Sequence, residues 1–351
     1  MTKEKFTPSK ELQNERADKI HALNTDLQAY KESLGDGSRP FRGLSSGLDE
    51  IDSLIGGLDR FILLAGRSGA GKTTLALQLA LGVAQSKPVI IYSFEMSRNE
   101  IITSLVKATA HRLGLEGLYT KTIELQGNDK NLDPKIADVL TQSLTELDRT
   151  GERVFIKDSS HGIPKILPHQ GDKVATIYDD IEQVKKICKS DEVLVLIDSV
   201  QDVVNTQNPN QVQAEIEAVN NLTELQQKTG ATILVTAQKN KGSTKSTDSY
   251  GDVMGSMAFI HKPNTVLELH TFKEAINKAD KDEKERLEQL ADEIEQNAKS
   301  GNCKPMILEV VKGRFTGVAN LALKFYGAYG YFEAGKDANY SDTYNTMSSL
   351  F

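Results

Sequence analysis

Cysteine, long apolar runs and an excess of positive charge are all scarce in this sequence. Its 351 residues include two cysteines, Cys188 and Cys303, without CxxC spacing. We therefore expect free thiols in a reduced, cytoplasmic compartment and no zinc site, with a disulfide between them as the alternative. No apolar run approaches the roughly 20 residues that a membrane helix needs. The first residues lack the apolar core of a secretory signal, so no membrane partner is expected.

The charge balance excludes one class of nucleic-acid-binding protein. The formal net charge is −7, which argues against binding through an overall basic coat. Binding through a few local basic loops stays open. A hydrophobic content of 38 % over 351 residues is enough for one large domain or two small ones.

Apolar segments rich in Val, Ile and Leu recur along the chain, with helical patterns at 73–85 and 97–113 between them. Because such strands are typical of sheets buried on both faces, we predict an α/β fold: a mostly parallel sheet flanked by helices. The expected strands are FILLA (61–65), VIIYSF (89–94), RVFIKD (153–158), VLVLID (193–198), TILVTA (232–237), TVLEL (265–269) and MILEVVK (306–312).

The pattern divides the chain into three parts. Residues 1–40 predict an N-terminal helix and linker, with an apolar stripe formed by Ile20, Leu23, Leu27, Tyr30 and Leu34. That stripe packs either on its own domain or on a neighbouring subunit. Residues 41–335 form the main domain, which includes a charged helical insertion at 273–299. Residues 336–351 are expected to be a flexible tail.

A glycine-rich stretch between the first strand and its helix matches the pattern GxxxxGK[ST]. Glycines let successive amides curl around phosphate oxygens, and the helix adds its unpaired N-terminal amides. Lys72 can reach the β- and γ-phosphates, and the Thr73 hydroxyl can coordinate magnesium. The residues expected around the nucleotide are Gly66, Arg67, Ser68, Gly69, Ala70, Gly71, Lys72, Thr73 and Thr74.

Four other places carry candidate chemistry, each with a plainer alternative. Asp198 ends a buried strand and suits the magnesium-side aspartate, or is a turn residue. Glu95 follows the neighbouring strand and could polarise water, or belongs to a helix cap. Gln238 could sense the γ-phosphate, or is a polar strand end. Lys312 and Arg314 could stabilise phosphoryl transfer in a neighbouring subunit, or form a basic surface hairpin.

Several segments together resemble the RecA-like ATPase domain of DnaB-type replicative helicases, with RadA-type helicases as close kin. They are FRGLSSGLDEIDSLIGGL before the loop, SFEMS (93–97), LVLIDSVQDV (194–203) and KGRFTG (312–317). The resemblance covers roughly residues 41–335. It implies a RecA-like P-loop core that binds ATP and Mg²⁺. It also implies a homo-oligomeric ring, usually of six subunits, that moves along single-stranded DNA with 5′–3′ polarity.

The same resemblance implies a role for each candidate. Each nucleotide would lie between two subunits. Lys72 and Thr73 would hold phosphates and magnesium, Glu95 would activate water and Asp198 would support the metal. Gln238 would be the sensor, and Lys312 and Arg314 would reach the neighbouring site.

Loops that contact DNA in such rings follow the strands carrying Asp198 and Gln238, here about 202–211 and 239–255. The second contains Lys239, Lys241 and Lys245 among small residues, which fits tracking of a DNA backbone. The first has no basic residue. The sequence shows no pattern expected for the helical N-terminal domain, the zinc finger or the protease-like domain of its kin, and it has KGR for the usual KNR.

The leading hypothesis is an ATP-dependent DNA helicase or translocase with replication or recombination proteins as partners. The alternative is a RecA- or RadA-like mediator or loader that binds ATP without unwinding DNA. A small-molecule phosphotransferase would leave Lys312, Arg314 and the stretch GLSSGLDEIDSLIGGL unexplained.

Overall fold

The structure is a computed structural model of the chain. It describes residues 27, 43–115, 118–125, 133–162, 164–168, 174–204, 208–239, 258–277, 279, 281–296, 303–313 and 319–334. The chain divides into two units, Met1–Pro40 and Phe41–Phe351. Only Leu27 of the first unit is described, so the predicted N-terminal helix lies outside the described residues, as does the expected tail at 336–351.

One nine-stranded sheet organises the second unit, in the order β3-β2-β4-β5-β1-β6-β7-β8-β9. The six strands from β3 to β6 in that order run parallel, and β7, β8 and β9 continue the sheet antiparallel. The predicted mostly parallel sheet is confirmed, while β8 and β9 were not expected. The strands are β1 (Phe61–Gly66), β2 (Val89–Ser93), β3 (Val154–Asp158), β4 (Leu194–Asp198), β5 (Thr232–Gln238), β6 (Thr265–Thr271), β7 (Lys304–Gly313), β8 (Ala319–Tyr326) and β9 (Tyr331–Ala334).

Helices connect the strands and cover the sheet on both faces. They are α1 (Asp49–Ile55), α2 (Lys72–Val83), α3 (Arg98–Arg112), α4 (Thr120–Leu125), α5 (Pro134–Gly151), α6 (Ile177–Cys188), α7 (Gln211–Thr229), α8 (Ala258–His261), α9 (Phe272–Ile276) and α10 (Lys281–Gln296). Short 3-10 turns follow β3 at Ser159–His161 and β4 at Val200–Val203.

Local sequence explains where several helices begin and end. The Ser97 hydroxyl accepts from the Glu100 amide, and Glu100 accepts from the Ser97 amide, so a capping box starts α3. Asn210 caps the start of α7, which ends at Gly230 in the left-handed conformation. The start of α2, in contrast, has no side-chain cap.

The two faces of the sheet build separate hydrophobic clusters, because side chains alternate along each strand. Ile62 and Leu64 of β1 pack on one face with Leu75 and Leu79 of α2. Phe61, Leu63 and Ala65 point to the other face, which is shared with residues of α6 and α7. We call these the α2 face and the α7 face. The alternation decides on which side of the sheet each strand-end residue lies.

Two helices lie between β6 and β7, in the range where a charged helical insertion was expected. Leu287, Leu290 and Ile294 of α10 form a third cluster with Phe272 and Ile307. The apolar side of the helix therefore packs on the antiparallel strands. None of the described helices is long and apolar enough to cross a membrane. Cys188 and Cys303 are both free thiols.

Candidate nucleotide site

Four parallel strands bring the predicted residues to one edge of the sheet. Gly66 at the end of β1 is in register with Gln238 at the end of β5. Asp198 at the end of β4 is in register with Ser93 of β2, two residues before Glu95. Because parallel strands share their carboxyl edge, these residues lie along one edge of the sheet, where the ligand crevice of such folds is found.

The loop from Gly66 to Gly71 has the conformation expected for phosphate binding. Gly69 and Gly71 have φ angles of +75° and +91°, which side chains rarely adopt. A Cβ on Gly71 would lie 2.9 Å from the Phe332 ring and 3.1 Å from the Phe325 ring. Aromatic rings of β8 and β9 thus pack against the loop at Gly71. The uncapped α2 begins at Lys72 with no acidic residue in its first turn, so its amides are available to an anion.

Lys72 lies beside two of the predicted carboxylates. Burial lowers the pKa of its ammonium, and the negative charges of Asp198 and Glu95 oppose that shift. Its Nζ donates a hydrogen bond to the backbone oxygen of Arg67, 3.0 Å away. The structure therefore brings Lys72, Asp198 and Glu95 together at the mouth of the loop.

Asp198 has one oxygen bonded and one unpaired. The side chain is buried, and its Oδ1 accepts a hydrogen bond from the hydroxyl of Thr236 on β5. Its Oδ2 is buried without a hydrogen-bond partner. Burying a charged oxygen without a partner costs folding free energy. This oxygen is therefore well suited to be a ligand of a cation. The donor set at this edge, a carboxylate oxygen and the Thr73 hydroxyl, fits a hard cation such as Mg²⁺.

Glu95 lies in the turn between β2 and α3, and its side chain is exposed. The capping box of α3 is made by Ser97 and Glu100, so Glu95 has no part in the helix cap. The plainer interpretation of Glu95 as a capping acid is therefore wrong. Its negative charge is near enough to Lys72 to favour the charged form of the ammonium.

Gln238 ends β5 with an exposed side chain, and its backbone oxygen accepts from the Gln201 amide at 3.4 Å. Gln238 lies on the α2 face together with Thr236, because the two are two positions apart on one strand. The sensor candidate thus faces the same side as Asp198.

Two predicted roles do not match the positions of their residues. The Nζ of Lys239, which was expected to contact DNA, is 2.7 Å from Glu268, and both side chains are less than a tenth exposed. DNA phosphates cannot reach an ammonium in that position. Lys312, expected to reach a neighbouring subunit, donates instead to the backbone oxygens of Ile260, His261 and Pro263. Both lysines are used within the chain. Lys241, Lys245 and Arg314 lie outside the described residues.

The sequence did not indicate three residues that the structure places at this edge. Thr236 holds Asp198, and its polar character within an otherwise apolar strand was the available signal. Glu274 of α9 accepts from the Arg67 guanidinium at 2.9 Å, which ties the insertion to the loop. Phe325 stacks on Phe332 behind Gly71, with ring centroids 4.4 Å apart.

Sequence comparison assigns the chain to a family. The profile of the AAA domain matches residues 32–244, more than half of the chain. The chain belongs to the AAA domain family.

Among individual proteins, a probable replicative DNA helicase of Trieres chinensis is 30 % identical over 115 residues, 31 % of this chain and 25 % of its own length. A replicative DNA helicase DnaB of Leifsonia xyli is 40 % identical over 89 residues, 24 % of this chain and 19 % of its own length. The chain thus spans a quarter or less of these relatives.

Solved structures share the fold. The ATPase domain of G40P superposes with a TM-score of 0.69 at 18 % identity, covering 89 % of this chain and 98 % of that domain. A DnaB-like replicative helicase, studied with its primase, gives a TM-score of 0.68 at 18 % identity, covering 92 % of this chain and 70 % of that one. The chain therefore has the RecA-like fold of DnaB-type ATPase domains, and the resemblance noted in the sequence is confirmed.

Proposed function

We propose that this chain is an ATP-dependent DNA helicase or translocase of the DnaB-like type. The observation that carries the proposal is the unpaired, buried Oδ2 of Asp198, which lies on the same edge as Lys72 and the uncapped start of α2. A cation ligand, a phosphate-binding lysine and a set of free amides are the parts that nucleoside triphosphate hydrolysis needs. The relatives are named as replicative DNA helicases, which supports coupling of ATP hydrolysis to movement on DNA.

Different groups in and near the loop bind the phosphates and Mg²⁺. The amides of Arg67 to Gly71 and of the first turn of α2 hold the phosphate oxygens, and Lys72 neutralises charge between the β- and γ-phosphates. Thr73 and Asp198 would hold Mg²⁺, which supplies charge neutralisation on the phosphate oxygens when bound. The pKa of Lys72 is lowered by burial, and the incoming phosphates favour its charged form.

Glu95 and Gln238 act on the attacking water and the γ-phosphate. The exposed carboxylate of Glu95 takes a proton from the attacking water. The amide of Gln238, across the crevice, orients that water or contacts the γ-phosphate. In the proposed ring, usually of six subunits, Arg314 of a neighbouring subunit stabilises the charge of the transferred phosphoryl group. Lys312, bonded within its own chain, instead fixes the strand that precedes Arg314.

A direct experiment tests the proposed function. Full-length protein is assayed for ATP hydrolysis with and without single-stranded DNA, and for strand displacement on forked DNA of both polarities. Lys72→Ala is the control. We expect hydrolysis that DNA stimulates and displacement of one polarity, 5′–3′ by the DnaB-type resemblance. DNA-stimulated hydrolysis without displacement would leave translocation as the activity, nucleotide binding with neither DNA stimulation nor displacement would support a mediator or loader, and the absence of hydrolysis would contradict the proposed helicase or translocase.

The shared site has its own test. Arg314→Ala and Lys72→Ala proteins are each expected to be inactive, because one lacks the trans arginine and the other lacks phosphate binding. Mixing them creates some interfaces with both residues, so partial activity should return. No recovery, once mixed oligomers are demonstrated by tagged pull-down, would contradict a trans role for Arg314.

A further inference from the structure

A row of ionisable side chains crosses the α7 face of the sheet, from the end of β5 to the middle of β6 and β7. We call it the polar row; its members are Lys239, Glu268, His270 and Glu309. Glu268 is in register with Ala65 of β1 on one side and with Glu309 of β7 on the other. The row therefore runs beside the strand that leads into the phosphate loop, although it lies on the opposite face from α2.

Lys239 is the end of this row nearest the loop. Its Nζ lies 2.7 Å from Glu268, with side-chain exposures of 6 % and 7 %. Its backbone amide donates to the backbone oxygen of Gly66, 3.1 Å away. Lys239 is thus fixed at both ends, by its main chain to the first residue of the loop and by its side chain to β6.

Lys239 and His270 keep Glu268 ionised. Burial alone would raise the pKa of the Glu268 carboxyl, but hydrogen bonds and charge from His270 and Lys239 hold it at about 2. His270 Nδ1 lies 3.7 Å from Glu268 and 3.9 Å from Glu309. The pair of Lys239 and Glu268 is therefore a buried ion pair, whose geometry is more restricted than that of an exposed pair.

Strand alternation links this pair to the nucleotide side. Val235 and Ala237 of β5 lie on the α7 face, and Lys239 continues that series. Thr236 and Gln238 occupy the positions between them and therefore lie on the α2 face, where Thr236 binds Asp198. A slip or twist of the strand end that released Lys239 would turn Gln238 away from the crevice.

We propose that Lys239 and Glu268 are a positioning pair that holds Gln238 toward the γ-phosphate. The inference rests on the proposed function, because it assigns a task to Gln238 in hydrolysis. It replaces the DNA contact that the sequence predicted for Lys239. The pair does not touch the nucleotide. It acts by fixing the orientation of the last residues of β5, which include Gln238.

The test removes the ion pair without leaving a buried charge. A single substitution would strand one ion in the interior and could unfold the protein. The double variant Lys239→Met and Glu268→Gln keeps the side-chain volumes and removes both charges. We expect kcat for ATP to fall about tenfold, with KM and nucleotide affinity within about twofold, because a displaced catalytic group costs rate more than binding.

A cycle with Gln238→Ala separates positioning from general stability. If the pair acts through Gln238, the double variant should change kcat by less than about twofold in the Gln238→Ala background, since coupled residues are not additive. The same relative loss in both backgrounds would overturn the proposal. So would an unchanged kcat in the folded double variant.

Lys157 and Asp180 provide the matched control pair. Their closest atoms lie 2.6 Å apart, on β3 and α6, with side-chain exposures of 33 % and 11 %, and Tyr92 also donates to Asp180. β2 separates β3 from the strand that carries Asp198. Lys157→Met with Asp180→Asn should lower Tm without changing kcat. An equal loss of kcat in this control would show a non-specific effect and overturn the proposal. Absence of hydrolysis in the unmodified protein would instead contradict the proposed function, which keeps the two failures distinct.

Discussion

Thr236 donates its hydroxyl proton to Oδ1 of Asp198, and the second oxygen of the same buried carboxylate has no hydrogen-bond partner. A side chain on β5 thus sets the direction of Asp198, the residue proposed to bind Mg²⁺, on β4. Orientation of a ligand by an outer hydrogen bond tunes how well it holds a cation.

Thr236→Val is the substitution that tests this orientation. It keeps the shape of a fully buried side chain but leaves both Asp198 oxygens unpaired. We expect about 1–3 kcal/mol of destabilisation from the unsatisfied group. The Mg²⁺ concentration for half-maximal ATPase activity should rise about tenfold or more, as outer-ligand losses do at other metal sites. A titration of activity against Mg²⁺ measures it.

Thr109→Val is the control for that experiment. Thr109 is also fully buried, and its hydroxyl donates to the backbone oxygen of Leu105 within α3. It should change stability without changing the Mg²⁺ requirement. Equal Mg²⁺ curves for the two variants would contradict the role given to Thr236.

Glu95→Gln should separate chemistry from folding. The carboxylate is exposed and outside the cap of α3, so Tm should stay unchanged. Loss of a general base is expected to lower kcat by about a hundredfold or more. Glu100→Ala removes the capping partner of Ser97 instead and should lower Tm while kcat is kept. The reverse pattern would return Glu95 to a structural role.

Gly71→Ala should damage both the fold and nucleotide binding. The residue has φ +91°, and a Cβ would lie 2.9 Å from Phe332. A left-handed conformation alone costs a side chain about 1–2 kcal/mol, and the ring contact adds to it. Fluorescent nucleotide titration and thermal melting measure the two effects.

Gly114→Ala gives the reference for conformation alone. Its φ is +70°, and nothing lies within 4 Å of the added Cβ. It should cost about 1–2 kcal/mol and leave nucleotide affinity unchanged. If Gly71→Ala binds nucleotide as well as Gly114→Ala does, the close backing of the loop by Phe332 is not required.

The buried Glu268 predicts a specific acid sensitivity. Its pKa is held at about 2, below the ordinary value of 4.5. The unfolded chain therefore takes up the proton first as pH falls, and stability is lost between about pH 4.5 and pH 2. The total loss is on the order of 3 kcal/mol, because a tenfold difference in proton affinity corresponds to about 1.36 kcal/mol. Urea unfolding at several pH values should show a shallower acid loss for Lys239→Met with Glu268→Gln, and identical slopes would contradict it.

Sequence patterns predicted the loop, the strand ends and the residues around them because each depends on short-range order. Gly66 to Thr73 follow one strand and begin one helix, and Asp198 and Gln238 each end an apolar run. Parallel strands then place these ends together without further information.

Pairings between distant strands could not be predicted in the same way. The partner of Lys239 is Glu268, 29 residues away on β6, and the pairing requires the sheet order around β1. The alternation of Ala237 and Lys239 on one face was nevertheless readable in the sequence. Lys312 is bonded to three backbone oxygens near α8, and backbone acceptors leave no mark in the sequence.

The last described strand, β9, contacts both α2 and the glycine-rich loop that precedes it. The side-chain amide of Gln78 on α2 bonds the backbone of Phe332 on β9 in both directions, at 2.8 Å and 2.7 Å, and Phe332 backs Gly71. These partners are separated by 254 positions. A ribosome that has made the phosphate loop must therefore synthesise almost all of the domain before that loop gains its support. The contact of Phe332 with the loop is therefore among the last that this domain can form as it is synthesised.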